Sequence, residues 1–146
     1  YDNPLLNVRH WTGRNPVRIV IDRFLKLSPP LHVFDGSQKT ICYNLVRDEE
    51  QKNLVFRKLE AENFLNHLVH DLYHQKIQSV IVEGGAQVLQ AFIDADLWDE
   101  AKVFTSAIKF EKGIKAPHHD GQLLEKQQLQ TDILRTYIPT MSDKFF

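Results

Sequence analysis

Cysteine is almost missing from this chain: 146 residues contain one, Cys42. Internal disulfides are therefore excluded, and a reducing compartment, the cytoplasm, is the expected setting. The thiol lies in the strand-like run TICYNLV, which reads as a buried and inert position rather than a nucleophile. An excess of charge of either sign is missing too. With 18 basic and 19 acidic residues the net charge is −1, so no overall field draws the chain to nucleic acid or an anionic membrane. Any basic site must be local. No apolar run approaches the roughly 20 residues of a membrane helix, and no secretory signal pattern opens the chain. Neither G-x-G-x-x-G nor a P-loop occurs, which disfavours a Rossmann domain and a P-loop ATPase.

What is present suits one globular domain over residues 1–146, with 42% apolar and 25% charged residues. Residues 1–16 are loop-like, punctuated by Pro4, Gly13 and Pro16. Val17–Asp22 (VRIVID) has apolar residues on both faces, as a strand in the middle of a covered sheet would. After Ser28-Pro29-Pro30, LHVFD is expected to be a short strand. Lys39–Val46 and Asn53–Leu59 read as further strands, the second edge-like with its charges, and Arg47–Lys52 as a solvated turn. Between Ala61 and Lys76, the residues Phe64, Leu65, Leu68, Val69, Leu72 and Tyr73 form one stripe at helical spacing. Ile77–Glu83 reads as a strand, Ala86–Asp94 as a helix, Asp99–Ile108 as a strand, Gly113–Asp120 as a loop and Asp132–Ile138 as a last strand. Strands alternating with helices predict a layered α/β domain with a largely parallel sheet and antiparallel additions.

The chemistry-bearing stretch is SVIVEGGAQVLQAFIDADLWDE, Ser79–Glu100. An apolar run stops at Glu83, two glycines follow, and an amphipathic pattern begins at once. A helix N-terminus offers unpaired N–H groups and partial positive charge to a phosphate. Gly84 and Gly85 carry no Cβ to hold a ligand off the backbone. Alone, this is also how any tight strand-to-helix turn looks. Glu83 stands where open α/β sheets bind ligands, at the carboxyl end of a strand, although a solvated strand end reads the same way.

Four blocks in order carry a resemblance. They are Asp2-Asn3-Pro4-Leu5-Leu6-Asn7-Val8-Arg9, Pro16-Val17-Arg18-Ile19-Val20-Ile21-Asp22, Val82-Glu83-Gly84-Gly85-Ala86 and Asp96-Leu97-Trp98-Asp99-Glu100. Together they resemble the reductase domain of the bifunctional riboflavin-biosynthesis deaminase/reductase, over residues 2 to about 113. The resemblance implies a dihydrofolate-reductase-like, three-layer αβα fold with a mixed, mostly parallel central sheet, truncated at its N-terminus. A first strand with an S-x-D-G element would precede Asp2, and a zinc-dependent deaminase domain would lie upstream. Neither H-x-E nor P-C-x-x-C occurs here, so this chain is not the deaminase.

The implied activity is NADPH-dependent reduction of 5-amino-6-(5-phosphoribosylamino)uracil to its ribitylamino product, by hydride transfer to the ribose C1 of the ring-opened imine. The implied partners are the phosphorylated ribosylamino-pyrimidine, the upstream deaminase domain and a second copy in a homodimer, with the Leu97-Trp98 corner as a candidate contact. Neither nucleic acid nor membrane is expected. Leu6, Arg9 and Glu83 match substrate-binding positions, and a guanidinium grips phosphate with paired hydrogen bonds. Asp2 matches a cofactor-binding position. So do Gly85, Ala86, Gln87, Val88, Leu89, Gln90 and Ala91, which meet the pyrophosphate. Arg23 departs from the family's frequent Ser, and its place past a strand end suits the 2′-phosphate of NADPH. No catalytic proton donor is named.

Two other readings stand beside this one. The first is another dihydrofolate- or pterin-type reductase; the second is a catalytically silent nucleotide-binding or dimerisation module. His67, His70 and His74, at i, i+3 and i+7, face away from the apolar stripe, and His118-His119-Asp120 lies in a loop. No metal site is assigned to either group.

Overall fold

The β-branched run VRIVID becomes β1, Arg18–Ile21, in a computed structural model that describes residues 3–27, 30–109 and 111–140. Beside it lies β2 (Thr40–Asn44), and every residue of β2 is buried. Both neighbours of β2 run parallel to it: β1 on one side and β4 (Leu54–Lys58) on the other. The short strand β3 (Glu49–Gln51) adds antiparallel to β4, giving the order β1-β2-β4-β3. This sheet belongs to the first of two compact units, Tyr1–Gln78; the second is Ser79–Phe146.

Side-chain alternation assigns the two faces of the first sheet. Ile41, Tyr43 and Val55 lie on the face covered by α1 (Phe64–His74), whose stripe buries Phe64, Leu68 and Leu72. The Tyr43 hydroxyl donates to Asp71 Oδ2 at 2.7 Å and ties helix to sheet. Burial pushes the Tyr43 phenol up, and the neighbouring carboxylate adds to the shift. On the opposite face, Val20 and Cys42 meet Val33, which sits on a single 3-10 turn at His32–Phe34. Cys42 is 0% exposed. Burial, helped by the charge of Asp22, pushes its thiol up to about 12.

Arg18 is the polar pin of this layer, buried at 2% exposure and bonded through all three of its nitrogens. Its Nε donates to the Leu5 carbonyl at 2.9 Å, and Nη1 donates to the His32 carbonyl at 2.8 Å and Asp35 Oδ1 at 2.7 Å. Nη2 donates to Ser37 Oγ at 3.2 Å. A buried guanidinium costs too much unless its donors are paired, and here one side chain gathers two segments of chain to satisfy them.

In the second unit, α2 (Ala86–Asp94) precedes a three-stranded antiparallel sheet of order β5-β7-β6. Its strands are β5 (Ala101–Thr105), β6 (Gln122–Leu129) and β7 (Asp132–Ile138). Trp98 packs inside this unit: His119 lies between its indole and the Tyr137 ring, with centroids 5.9 and 4.5 Å away. No helix among the described residues is long and apolar enough to cross a membrane.

Four expectations from the sequence are corrected. LHVFD is a 3-10 turn rather than a strand, because Phe34 N–H and Asp35 N–H bond back to the Leu31 and His32 carbonyls, and Arg18 holds the latter. Arg47–Lys52 is not only a solvated turn: Glu49–Gln51 pairs with β4 across a two-residue hairpin, Lys52 taking a φ of 33°. Ile77–Glu83 forms no ladder among the described residues, and Ile81 is 85% exposed. An apolar run becomes a strand only through a neighbour's hydrogen bonds. Finally, Asn53–Leu59 is no edge, because β3 pairs along the side of β4 away from β2; β6 went unread, since QLLEKQQL lacks the alternation that marks a half-buried strand.

The Arg18 cluster yields a stability test. Arg18→Met leaves the Leu5 carbonyl without its donor and strips the ion pair from Asp35, and is expected to cost roughly 3 kcal/mol in urea unfolding. Paired with Arg18 first, then with the Ser37 hydroxyl and N–H, the Asp35 carboxyl titrates well below the usual carboxylate range. Its folded pKa is depressed, so the contribution is complete at neutral pH and is lost as pH falls below about 5 toward the folded value. Asp35→Asn is expected to flatten the fall of the urea midpoint between pH 7 and pH 3. A variant with an unchanged pH slope would sink this assignment.

Candidate functional site

The loop that carries Leu6 and Arg9 is short of its own secondary structure and is held from outside. Arg18 takes the Leu5 carbonyl, and Gln38 Nε2 donates to the Leu6 carbonyl at 2.9 Å and the Pro16 carbonyl at 3.1 Å. Asn3 Oδ1 accepts the His32 N–H at 2.7 Å, and Asn15 Oδ1 accepts the Val8 N–H at 3.1 Å. Under these clamps Leu6 adopts a φ of 46°. A leucine in the left-handed region costs about 1–2 kcal/mol, and such strain persists only where the surroundings enforce it. The Leu6 side chain packs against the Val20–Val33–Cys42 cluster. A ligand contact from Leu6 would therefore come from its main chain.

Arg9 is exposed and makes no hydrogen bond or ion pair with any described residue. Two residues before it, Asn7 Oδ1 is buried without a donor. Thus a fixed loop presents one unengaged guanidinium and buries one unengaged acceptor.

Arg23 follows β1 directly, in a turn that Asp22 builds: its carboxylate accepts the N–H groups of Lys26 at 3.0 Å and Leu27 at 2.7 Å. Leu25, at φ 52°, packs into the same cluster as Leu6. The two loops thus share one apolar anchor through two strained leucines. The Arg23 guanidinium stands 5.2 Å from the Phe64 ring centroid and reaches the Ala61 carbonyl at 3.5 Å.

Glu83 and the helix N-terminus belong to the second unit. Glu83 is exposed and makes no hydrogen bond or ion pair with any described residue. Gly85 is the N-cap of α2, at φ −61° and ψ 167°, and no side chain caps the helix. The first turn carries no acidic residue. Val88 and Leu89 N–H groups bond to the Gly85 carbonyl, and those of Ala86 and Gln87 make no hydrogen bond with described residues. A Cβ on Gly85 would touch nothing within 4 Å, whereas one on Gly84 would stand 3.0 Å from Val88 Cβ. The two glycines therefore do different jobs: Gly84 lets the helix close on the turn, and Gly85 keeps the space over the amides clear. Donors, dipole and clearance together fit a pyrophosphate.

Along the rest of this stretch, Val88, Leu89 and Ala91 are half-buried. Gln90 is committed to the chain itself, its amide pairing with both the N–H (2.8 Å) and the carbonyl (3.0 Å) of His118. Asp2 lies outside the described residues.

Comparison with known proteins decides the family. The family model of the RibD C-terminal domain matches residues 1–132. The chain belongs to this family. As a RibD C-terminal domain it is 29% identical, over 111 residues, to the 2,5-diamino-6-ribosylamino-4(3H)-pyrimidinone 5′-phosphate reductase of Aquifex aeolicus, covering 70% of this chain and 50% of that protein. Among solved structures it is similar to the diaminohydroxyphosphoribosylaminopyrimidine deaminase/5-amino-6-(5-phosphoribosylamino)uracil reductase of Thermotoga maritima. The TM-score is 0.82 at 27% identity, over 95% of this chain and 42% of the other. Acinetobacter baumannii RibD shares the fold, with a TM-score of 0.77 at 21% identity, over 95% of this chain and 44% of the other. This chain spans about half the length of the relatives it matches. Its fold is that of RibD reductase domains, a dihydrofolate-reductase-like mixed α/β arrangement with a mostly parallel sheet.

Sequence reasoning passed over Gln38, Asn15 and Leu25, the residues that hold the loops. Gln38 bonds to carbonyls 32 and 22 positions away, and no local pattern signals so distant a partner.

The glycine pair gives a sharp contrast. Gly84→Ala is expected to cost about 1–3 kcal/mol, since β-branched Val88 cannot swing away. Gly85→Ala should cost no more than about 1 kcal/mol, the difference between a good and a poor N-cap. Urea unfolding of both variants checks the order, and equal losses would contradict it.

Proposed function

We propose that this chain is the NADPH-dependent reductase module that converts a phosphorylated ribosylamino-pyrimidine, 5-amino-6-(5-phosphoribosylamino)uracil, to its ribitylamino product. The observation that carries this reading is the fixed loop of a RibD C-terminal domain presenting an unengaged Arg9. A relative 29% identical is named for reduction of a ribosylamino-pyrimidinone 5′-phosphate, and a guanidinium on a rigid loop is the group that reads such a phosphate.

Other residues take roles that their chemistry allows. Glu83 would be an acceptor for ribose hydroxyls or pyrimidine N–H groups. Gly85 and the free amides of Ala86 and Gln87 would hold the cofactor pyrophosphate at the start of α2. Arg23, past the carboxyl end of β1, would meet the 2′-phosphate that separates NADPH from NADH, and Asp2 the cofactor as well. Bound NADPH supplies the hydride. The protein's share is to grip the phosphate and orient the sugar, which is where most positional catalysis comes from. A second copy of the chain and, within a longer protein, a deaminase domain are the partners this reading brings with it.

Two substitutions test it by steady-state NADPH oxidation. Arg9→Ala should raise KM for the 5′-phosphorylated substrate roughly 10- to 100-fold, the worth of a charge-assisted hydrogen bond, and leave the dephosphorylated analogue unaffected. An equal loss on both substrates would remove Arg9 from the phosphate. Arg23→Ala should lower the ratio of NADPH to NADH efficiency by about tenfold or more; an unmoved ratio confines Arg23 to its place over Phe64. Cofactor binding by the wild-type chain without turnover would favour the silent module instead.

A further inference from the structure

Helix α1 carries three histidines on its polar side, and the structure brings two of them together. His70 Nε2 and His74 Nε2 stand 3.2 Å apart on exposed side chains, with ring centroids at 4.4 Å. Among the described residues no third His, Cys, Asp or Glu joins them in a metal-binding group. We propose that His70 and His74 form an open, two-imidazole clamp for one divalent transition-metal ion, zinc or nickel.

Three independent features support the assignment. The first is the bite: two nitrogens about 2.05 Å from one tetrahedral ion lie about 3.3 Å apart, close to the 3.2 Å observed here. The second is spacing. Residues four apart share a helix face, and a His-x-x-x-His pair is how helix-borne zinc ligands are arranged. The third is location. His74 is the last residue of α1, so the ion would sit by the negative end of the helix dipole, which favours a cation.

The surroundings also say what the site is not. In helix-borne zinc hydrolases a free carboxylate follows the first His. Here Asp71 holds that place, but its carboxylate is spent on the Tyr43 hydroxyl, Gln75 Nε2 and the Arg57 guanidinium. The clamp is a binding site with no general base. Imidazole nitrogen selects Zn²⁺, Ni²⁺ or Cu²⁺ over Mg²⁺, which prefers oxygen ligands.

Titration of the whole chain with ZnCl2 or NiCl2 by calorimetry tests the clamp. Expected is one ion per chain, no heat with MgCl2, and at least about tenfold weaker binding in His70→Gln or His74→Gln. The exposed His67→Gln variant should bind within about twofold of wild type, since its ring is not part of the pair. Zinc added to the wild-type chain should shift the Nε2 resonances of His70 and His74 together and leave that of His67 in place, a readout needing no substitution. Wild-type affinity in His70→Gln, or loss only on replacing His118 and His119, would overturn the assignment. So would one ion shared by two chains.

Discussion

A guanidinium that enters a protein interior must bring its acceptors with it, and in this chain that requirement organises the first unit. Arg18 starts a buried strand, so its donors can be met only if other segments approach. The Leu5 carbonyl, the His32 carbonyl, Asp35 and Ser37 all do so. The loop leading to Arg9 and the 3-10 turn covering Cys42 are thereby fixed to the same atom group. Remove the charge and two stretches of irregular chain lose their reason to be where they are. The arrangement explains how a segment with no helix or strand of its own can hold an exposed guanidinium in a fixed place.

Strain follows the same logic. Leu6 and Leu25 both hold left-handed backbone angles, and both press side chains into the Val20–Val33–Cys42 cluster. Each leucine turns its loop at a point where a glycine would turn more cheaply, and in return anchors the loop from below. Arg9 and Arg23 are each displayed a few residues from such an anchor. In the second unit the arrangement is reversed: a glycine removes its side chain and leaves the backbone amides at the start of α2 uncovered.

How much of this could be read beforehand depended on the range of the forces involved. The bounds of α2 and β7 are those the apolar periodicity predicts, because each pattern is complete within its own segment. Residues 77–83 have the composition of a strand but no ladder among the described residues, since pairing is a property of two segments. β6 has the ladder without the composition. For the site, Glu83-Gly84-Gly85 announced itself locally, whereas Arg9 stood out only as one member of an ordered set of motifs. Gln38 was silent altogether, its two carbonyl partners being supplied by tertiary folding.

The single thiol has a consequence of another kind. Cys42 lies on the innermost strand, flanked by a parallel neighbour on each side and sealed by the turn at His32–Phe34. Burial keeps it protonated at any pH the protein would meet, and a thiol, unlike a thiolate, does not attack an alkylating reagent. To react, it must first reach water, and that means lifting the His32–Phe34 turn off the sheet face. The chain therefore carries an internal clock: the rate at which Cys42 takes up a label measures how often that cover comes away.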